Sequence, residues 1–205
     1  EIAGGADDIV ADGVLRRLGV QALFAQHVAP NLPVGTVSFT SGAVLAGSNY
    51  FTITLRGKGA HAAVPFDGTD LPLVTAKVVD ALASLPARRR DLLNDPAVIS
   101  VTHLATGSTN ALNVMPSSAT IAGTIRAFAD VDATGSNQGP SLREVVTQTL
   151  DGLTSAYGAT YEMNLRKGSP PTRNDTALES ALLPALNTRW PGTLRVTTER
   201  GMFAE

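Results

Sequence analysis

A chain of 205 residues with 43% hydrophobic content is long enough to bury a core, which excludes disorder as its default state. Its formal net charge of −2, with both signs scattered along the sequence, leaves no footprint for nucleic acid or for an anionic membrane surface, so a small molecule is the expected partner. Cysteine is absent, which excludes a disulfide framework and a thiolate cage and leaves His, Asp and Glu to hold any metal.

Glu1 opens the chain without methionine and Glu205 stops it abruptly; we read both as cuts through a longer protein. The opening lacks a basic-plus-apolar leader, and no apolar stretch approaches the roughly 20 residues that span a bilayer. The expectation is a soluble, cytoplasmic protein. Residues 7 to 18 place Ile9, Val10, Val14, Leu15 and Leu18 at helical spacing before Gly19, which predicts a short helix. Leu23-Phe24 to Val28 and Val34 to Phe39 read as strands around a Pro30 to Pro33 turn.

A more regular unit begins near Ser48. Tyr50 to Arg56 alternates Phe51, Ile53 and Leu55 on one face, Leu73 to Leu85 has the helical period and meets Pro86, and Val98 to Leu104 and Ala119 to Phe128 alternate as strands. Ser141 to Tyr157 is a second helix, with Ser141 as cap and Glu144 at capping-box distance, and Thr160 to Leu165 is a final strand. Strand, helix, strand, strand, helix, strand over residues 48–167 spells the split βαβ, or ferredoxin-like, sandwich. Pro170-Pro171 and Asn174-Asp175 mark a joint, after which Thr176 to Leu186 reads as a helix and Thr193 to Thr198 as a strand. The sandwich therefore stands inserted between two pieces of another domain, 1–47 and 168–205.

Several residues have the chemistry of a site. His27 lies where a short strand must turn before Pro30; imidazole there could bind a metal, although a hydrogen-bonded structural role is the ordinary expectation for one histidine alone. His61 sits among small residues in Gly57-Lys58-Gly59-Ala60-His61-Ala62-Ala63, where it is either an ordinary turn histidine or a donor to a developing oxyanion. The glycine spacing fits neither a Walker loop nor a full dinucleotide fingerprint. Asn113 and Arg126, brought to one sheet edge, could grip a carboxylate, Arg bidentately; alone they read as a turn amide and a solvated cation. His103 reads as structural, and Arg88-Arg89-Arg90 as a solvated helix end.

Together these segments resemble the two-metal aminoacylase and carboxypeptidase family, especially the amidohydrolase branch that contains hippurate hydrolase and plant auxin-conjugate hydrolases. The carriers are Glu1-Ile2-Ala3-Gly4-Gly5-Ala6 with Asp12-Gly13-Val14-Leu15, Gln26-His27-Val28-Ala29-Pro30, and Leu32-Pro33-Val34-Gly35. They continue in Gly57-Lys58-Gly59-Ala60-His61-Ala62-Ala63-Val64-Pro65, Asn113-Val114-Met115-Pro116, Gly123-Thr124-Ile125-Arg126, and Pro170-Pro171-Thr172 with Asn174-Asp175. Each is weak alone; their order and spacing are specific. The resemblance implies a catalytic α/β domain, partial here, interrupted by a ferredoxin-like α+β lid and dimerisation domain.

It also implies two divalent metal ions, zinc foremost, with manganese, nickel or cobalt as alternatives. Glu1 and His27 match metal ligands of the family, with the general base just before Glu1. His61 matches the lid histidine that stabilises the tetrahedral oxyanion, in dimeric members within the partner subunit's site. Asn113 and Arg126 match lid residues that bind the substrate carboxylate. The implied reaction is metal-dependent hydrolysis of the amide of an N-acyl amino acid, and a homodimer through the lid is the implied assembly. Dipeptidase or carboxypeptidase action within the family, or a non-catalytic binding or oligomerisation module, are the alternatives. Phe66 and Asn49 depart from the branch, which often has histidine and aspartate there; these differences bear on substrate preference. Gly201 to Glu205 resembles the start of a segment whose metal-binding histidine comes later, and the upstream ligands precede Glu1.

Overall fold

The computed structural model describes residues 5–136, 138–197 and 200–202. In chain order the first elements are α1 (Gly5–Ala11), α2 (Val14–Arg17), β1 (Val37–Thr40) and β2 (Ala43–Leu45). Next come β3 (Gly47–Arg56), β4 (Ala60–His61), a 3-10 turn (Pro65–Asp67), α3 (Leu71–Arg89), β5 (Ala97–Thr106) and β6 (Val114–Met115). The last are β7 (Ser118–Ala127), α4 (Leu142–Ala156), β8 (Thr160–Lys167), β9 (Thr172–Arg173), α5 (Thr176–Arg189) and β10 (Leu194–Thr197).

The largest sheet has the order β5-β7-β3-β8 with every neighbouring pair antiparallel. With α3 and α4 as its crossovers this is the split βαβ sandwich. Alternation fixes the register: Phe51, Ile53 and Leu55 of β3 and Ile121 and Ile125 of β7 point to one face and are buried. There they meet Val74, Val78 and Leu82 of α3 and Val145, Val146 and Leu150 of α4. The opposite face of β7 carries the partly exposed Thr120, Ala122, Thr124 and Arg126.

Local chemistry sets the helix ends. Asp70 caps α3 by accepting from the Leu73 N–H at 3.0 Å. Ser141 and Glu144 make the reciprocal capping box of α4, Oγ accepting from the Glu144 N–H and the carboxylate from the Ser141 N–H. Helix α3 runs on through Pro86 to Arg89 instead of stopping before it. Near a helix end the missing N–H removes a single bond, and Leu85 and Pro86 are themselves buried. Just beyond, Arg90 forms a buried ion pair with Asp95 and donates to the Pro140 carbonyl at 3.0 Å.

Among the described residues the flanking segments pair in short ladders, β1 parallel to β10 and β2 antiparallel to β9, with one further parallel bridge between Leu45 and Gly201. Both connections leave the sandwich at one end of the sheet, where Ser48 N–H donates to Ser169 O and Gly168 N–H to Ser48 O, each at 2.8 Å. A small cluster of Ala43, Ala46 and Phe128, with Met202 against it, covers this joint. The single helix expected over residues 7 to 18 is two short helices separated at Asp12-Gly13. The strand expected from Leu23 to Val28 is absent: the segment has no regular structure and no ladder partner among the described residues, and an unpaired strand leaves its backbone without hydrogen bonds. The later strand is shortened at its start, to Val37, by the turn in which Thr36 N–H donates to Pro33 O at 3.1 Å.

Candidate active site

His61 is positioned by a two-strand ladder too short to be seen in the sequence pattern. β4 and β6 pair Ala60 with Met115 and His61 with Val114, and the Ala62 N–H donates to the Asn113 carbonyl at 2.9 Å. The buried Met115 anchors this ladder from below. Gly57 N–H reaches Ser117 O at 3.1 Å, and Thr69 Oγ1 accepts from Lys58 N–H and donates to Gly158 O, both at 3.2 Å. Thr69, which nothing in the sequence singles out, thus ties the histidine loop to the end of α4.

The imidazole is exposed, and its Nδ1 accepts the Ala63 N–H at 3.1 Å. A neutral ring that accepts at Nδ1 carries its proton on Nε2. His61 on this exposed ladder therefore has an N–H donor at Nε2, the polarity needed to meet negative charge developing on an oxygen. The backbone of Asn113 is bonded directly alongside, so His61 and Asn113 form one constellation.

Arg126 is elsewhere. It pairs across β7 with Ser48 on one side and Val98 on the other, at the sheet end from which the flanks leave. Ser118, next to the histidine tip, lies eight residues back along the same uninterrupted strand; at about 3.3 Å per residue the two ends are about 26 Å apart. The expectation that Asn113 and Arg126 share one sheet edge is corrected: a continuous strand separates them within one chain.

His27 sits in the irregular segment, exposed, with Nδ1 donating to Val28 O at 2.6 Å. Glu1 lies outside the described residues. Among the described residues no group of three or more His, Cys, Asp or Glu side chains is placed to hold a metal ion, so they do not by themselves compose a metal centre. His103 is exposed on the edge strand β5, just after a bulge, opposite Ala122. No helix of the described residues is long and apolar enough to cross a membrane.

No protein-family model matches the chain. It is 32% identical over 175 residues to N-acetylcysteine deacetylase of Bacillus subtilis, an alignment covering 85% of the chain and 43% of that protein. It is 36% identical over 178 residues to the IAA-amino acid hydrolase ILR1-like 4 of Arabidopsis thaliana, covering 87% of the chain and 39% of the relative. Among solved structures, the YXEP protein of Bacillus subtilis, described as a dinuclear metal binding peptidase from the M20 family, superposes with a TM-score of 0.70 at 26% identity, over 98% of this chain and 46% of that one. The chain spans about half or less of the length of these relatives. In sequence over most of its length and in fold over nearly all of it, the chain is similar to about half of these amidohydrolases and of this dinuclear metal binding peptidase.

Proposed function

We propose that the parent protein is a metal-dependent amidohydrolase that cleaves the amide bond of N-acyl amino acids. In this reading residues 48–167 form its lid and dimerisation domain, and residues 1–47 with 168–205 form part of its catalytic domain. The observation that carries the reading is the His61 tip: an exposed imidazole whose Nδ1 accepts the Ala63 N–H, which leaves Nε2 as the donor, on a ladder whose backbone is bonded to Asn113. Relatives bearing the names N-acetylcysteine deacetylase and IAA-amino acid hydrolase support the substrate class, and the dinuclear neighbour supports two divalent ions, zinc foremost. Glu1 and His27 are the proposed contributions of this chain to those ions.

The lid groups have separable tasks. His61 Nε2–H donates to the carbonyl oxygen as it gains charge, which lowers the barrier only to the extent that this bond strengthens in the transition state. Arg126 of one copy, through its planar fork, and Asn113 of the other, carried in beside His61, hold the substrate carboxylate. Since about 26 Å of strand separates the two ends of β7, His61 and Arg126 of one chain serve different substrates: Arg126 at the site by its own flanks, His61 at the site of a second copy. A homodimer joined through the lid meets that requirement.

The test uses the full-length parent protein. His61→Ala lowers kcat by about a hundredfold or more, and Arg126→Ala raises KM for carboxylate-bearing substrates by about tenfold or more. Chelation abolishes turnover and zinc restores it. Mixed dimers of the two variants recover activity, because one of their two sites then draws a native His61 from one copy and a native Arg126 from the other. Mixed dimers as inactive as either variant alone would refute the two-copy arrangement. No hydrolysis of any N-acyl amino acid by the metal-loaded wild type would refute the activity.

A further inference from the structure

His61 is carried on a loop whose neck is closed by Thr69. Lys58, ahead of the histidine, lies between Gly57 and Gly59, and glycine has more backbone freedom to lose on folding than any other residue. Both polar groups of the Lys58 backbone are nonetheless bound by Thr69. The Lys58 N–H donates to Thr69 Oγ1 at 3.2 Å, and the Lys58 carbonyl accepts from the Thr69 N–H at 2.8 Å. Thr69 is buried, and a Cβ at Gly57 would lie 2.6 Å from its Cβ and 2.8 Å from its Cγ2. The side chain is therefore packed against the neck as well as bonded to it.

The hydroxyl proton of Thr69 goes to a different element. Oγ1 donates to the Gly158 carbonyl at 3.2 Å, at the left-handed residue, φ 63°, that follows α4. With the proton committed there, the oxygen is left to accept from Lys58 N–H, so one hydroxyl has both of its roles fixed. Helix α4 is anchored in the core by Val145, Val146 and Leu150, and the pair of bonds refers the neck of the histidine loop to that helix. An apolar side chain of the same shape would fill the space equally well; what the hydroxyl adds is alignment. A donor to charge that appears only in the transition state depends on alignment, and a misplacement of about 1 Å costs rate steeply. Resting on the activity proposed above, we propose that Thr69 is a positioning residue for that reaction, its hydroxyl clamped between Lys58 and Gly158 so that His61 Nε2 meets the carbonyl oxygen of the substrate.

The experiment measures kcat and KM of the metal-loaded full-length protein on the N-acetyl amino acid that the wild type cleaves fastest, with thermal melts of every variant alongside. Thr69→Val keeps the shape and removes the hydroxyl; it lowers kcat about tenfold and leaves KM within about twofold, because a misplaced His61 weakens the transition state and not substrate binding. Thr69→Ala, which leaves room for a water to meet Lys58 N–H and Gly158 O, lowers kcat in the same direction. Thr69→Ser restores the hydroxyl and brings kcat back to within about threefold of wild type. In a His61→Ala background Thr69→Val changes kcat by less than about twofold, since the group it positions is gone. Unchanged kcat in both Thr69→Val and Thr69→Ala overturns the assignment, as does Thr69→Ser as slow as Thr69→Val, or a tenfold loss that persists undiminished without His61. Unfolding of both Thr69→Val and Thr69→Ala at the assay temperature overturns it as well, by giving the hydroxyl to stability alone. A wild type that cleaves no N-acyl amino acid removes the activity itself, a result distinct from an active enzyme indifferent to Thr69.

Discussion

The sandwich and the flanking segments carry similar apolar spacing and use it differently. In the sandwich, the buried stripes of β3 and β7 meet the buried faces of α3 and α4, and Ile53, Leu55, Val74, Val78, Ile121, Val145 and Leu150 are fully enclosed. In the flanks, α1 and α2 bury no residue, and Ile9, Val10, Leu18, Leu23, Phe24 and Val28 are all more than half exposed. Periodicity states which side of an element is apolar; only a facing surface turns that into burial. Stability therefore resides in the sandwich, which can place His61 and Asn113 accurately, whereas His27 lies on a segment whose backbone no sheet supports.

The sharpest way to break this comparison is to make the same deletion in both regions. Leu82→Ala empties a fully buried site under the sheet and costs about 2–5 kcal/mol of unfolding free energy. Leu23→Ala, at an exposed position, stays within about 0.5 kcal/mol. Denaturant melts of the two variants decide it, and equal losses would put the flank on the same footing as the core. Helix caps give a smaller version of the same contrast. Ser141→Ala removes half of a capping box on a packed helix and costs about 1 kcal/mol of global stability. Asp175 accepts from the Ala177 and Leu178 N–H groups, each at 2.9 Å, but among the described side chains α5 buries only Glu179. Asp175→Ala therefore speeds amide exchange within α5 and leaves the main transition in place. A full kilocalorie lost from that main transition would couple α5 to the sandwich more tightly than its burial allows.

The same contrast explains what could be read from sequence. Strands with one buried face, β3 and β7, show their alternation openly, and Ser141 with Glu144 three residues later announces its helix. The two-residue strands β4 and β6 are too short to have a period, so the ladder that aligns His61 with Val114 exists only in three dimensions. Residue chemistry offered His61, Asn113 and Arg126 as candidates and the resemblance gave each a role; neither carried a distance, and the separation of Arg126 from Asn113 follows only once β7 is seen to be one unbroken strand. The Thr69 link to Lys58 and Gly158 had no signal at all, since a hydroxyl in a turn looks the same whether or not a carbonyl far along the chain waits for it. The Leu23 to Val28 stretch misled for the opposite reason: its composition suits a strand, and strand formation depends on a neighbour that local sequence does not name.

The smallest expected effect tests the boundary between the two regions. Lys167, the last residue of β8, bridges Asp130 at 2.8 Å and Asp132 at 2.7 Å, and Arg143 pairs with Asp132, so this cluster fastens the sheet end from which the chain departs into its flank. The Arg143 guanidinium first, and then the Lys167 ammonium, hold the Asp132 carboxyl down to about 2 from its ordinary 3.8. A carboxyl whose folded pKa is depressed adds stability above its unfolded pKa and loses it as pH falls through the folded one. The contribution is thus complete above about pH 4 and gone by about pH 2. Asp132 and Arg143 are both more than a third exposed, so solvent and salt weaken the pair and the effect is a fraction of that pKa shift. Asp132→Asn therefore lowers the melting temperature slightly at pH 7 in low salt, and the gap from wild type closes both on acidification to pH 2 and on adding 1 M salt. A gap that persists unchanged through both titrations would show that Asp132 acts by shape and hydrogen bonding, and that the joint between sandwich and flank is not held by charge.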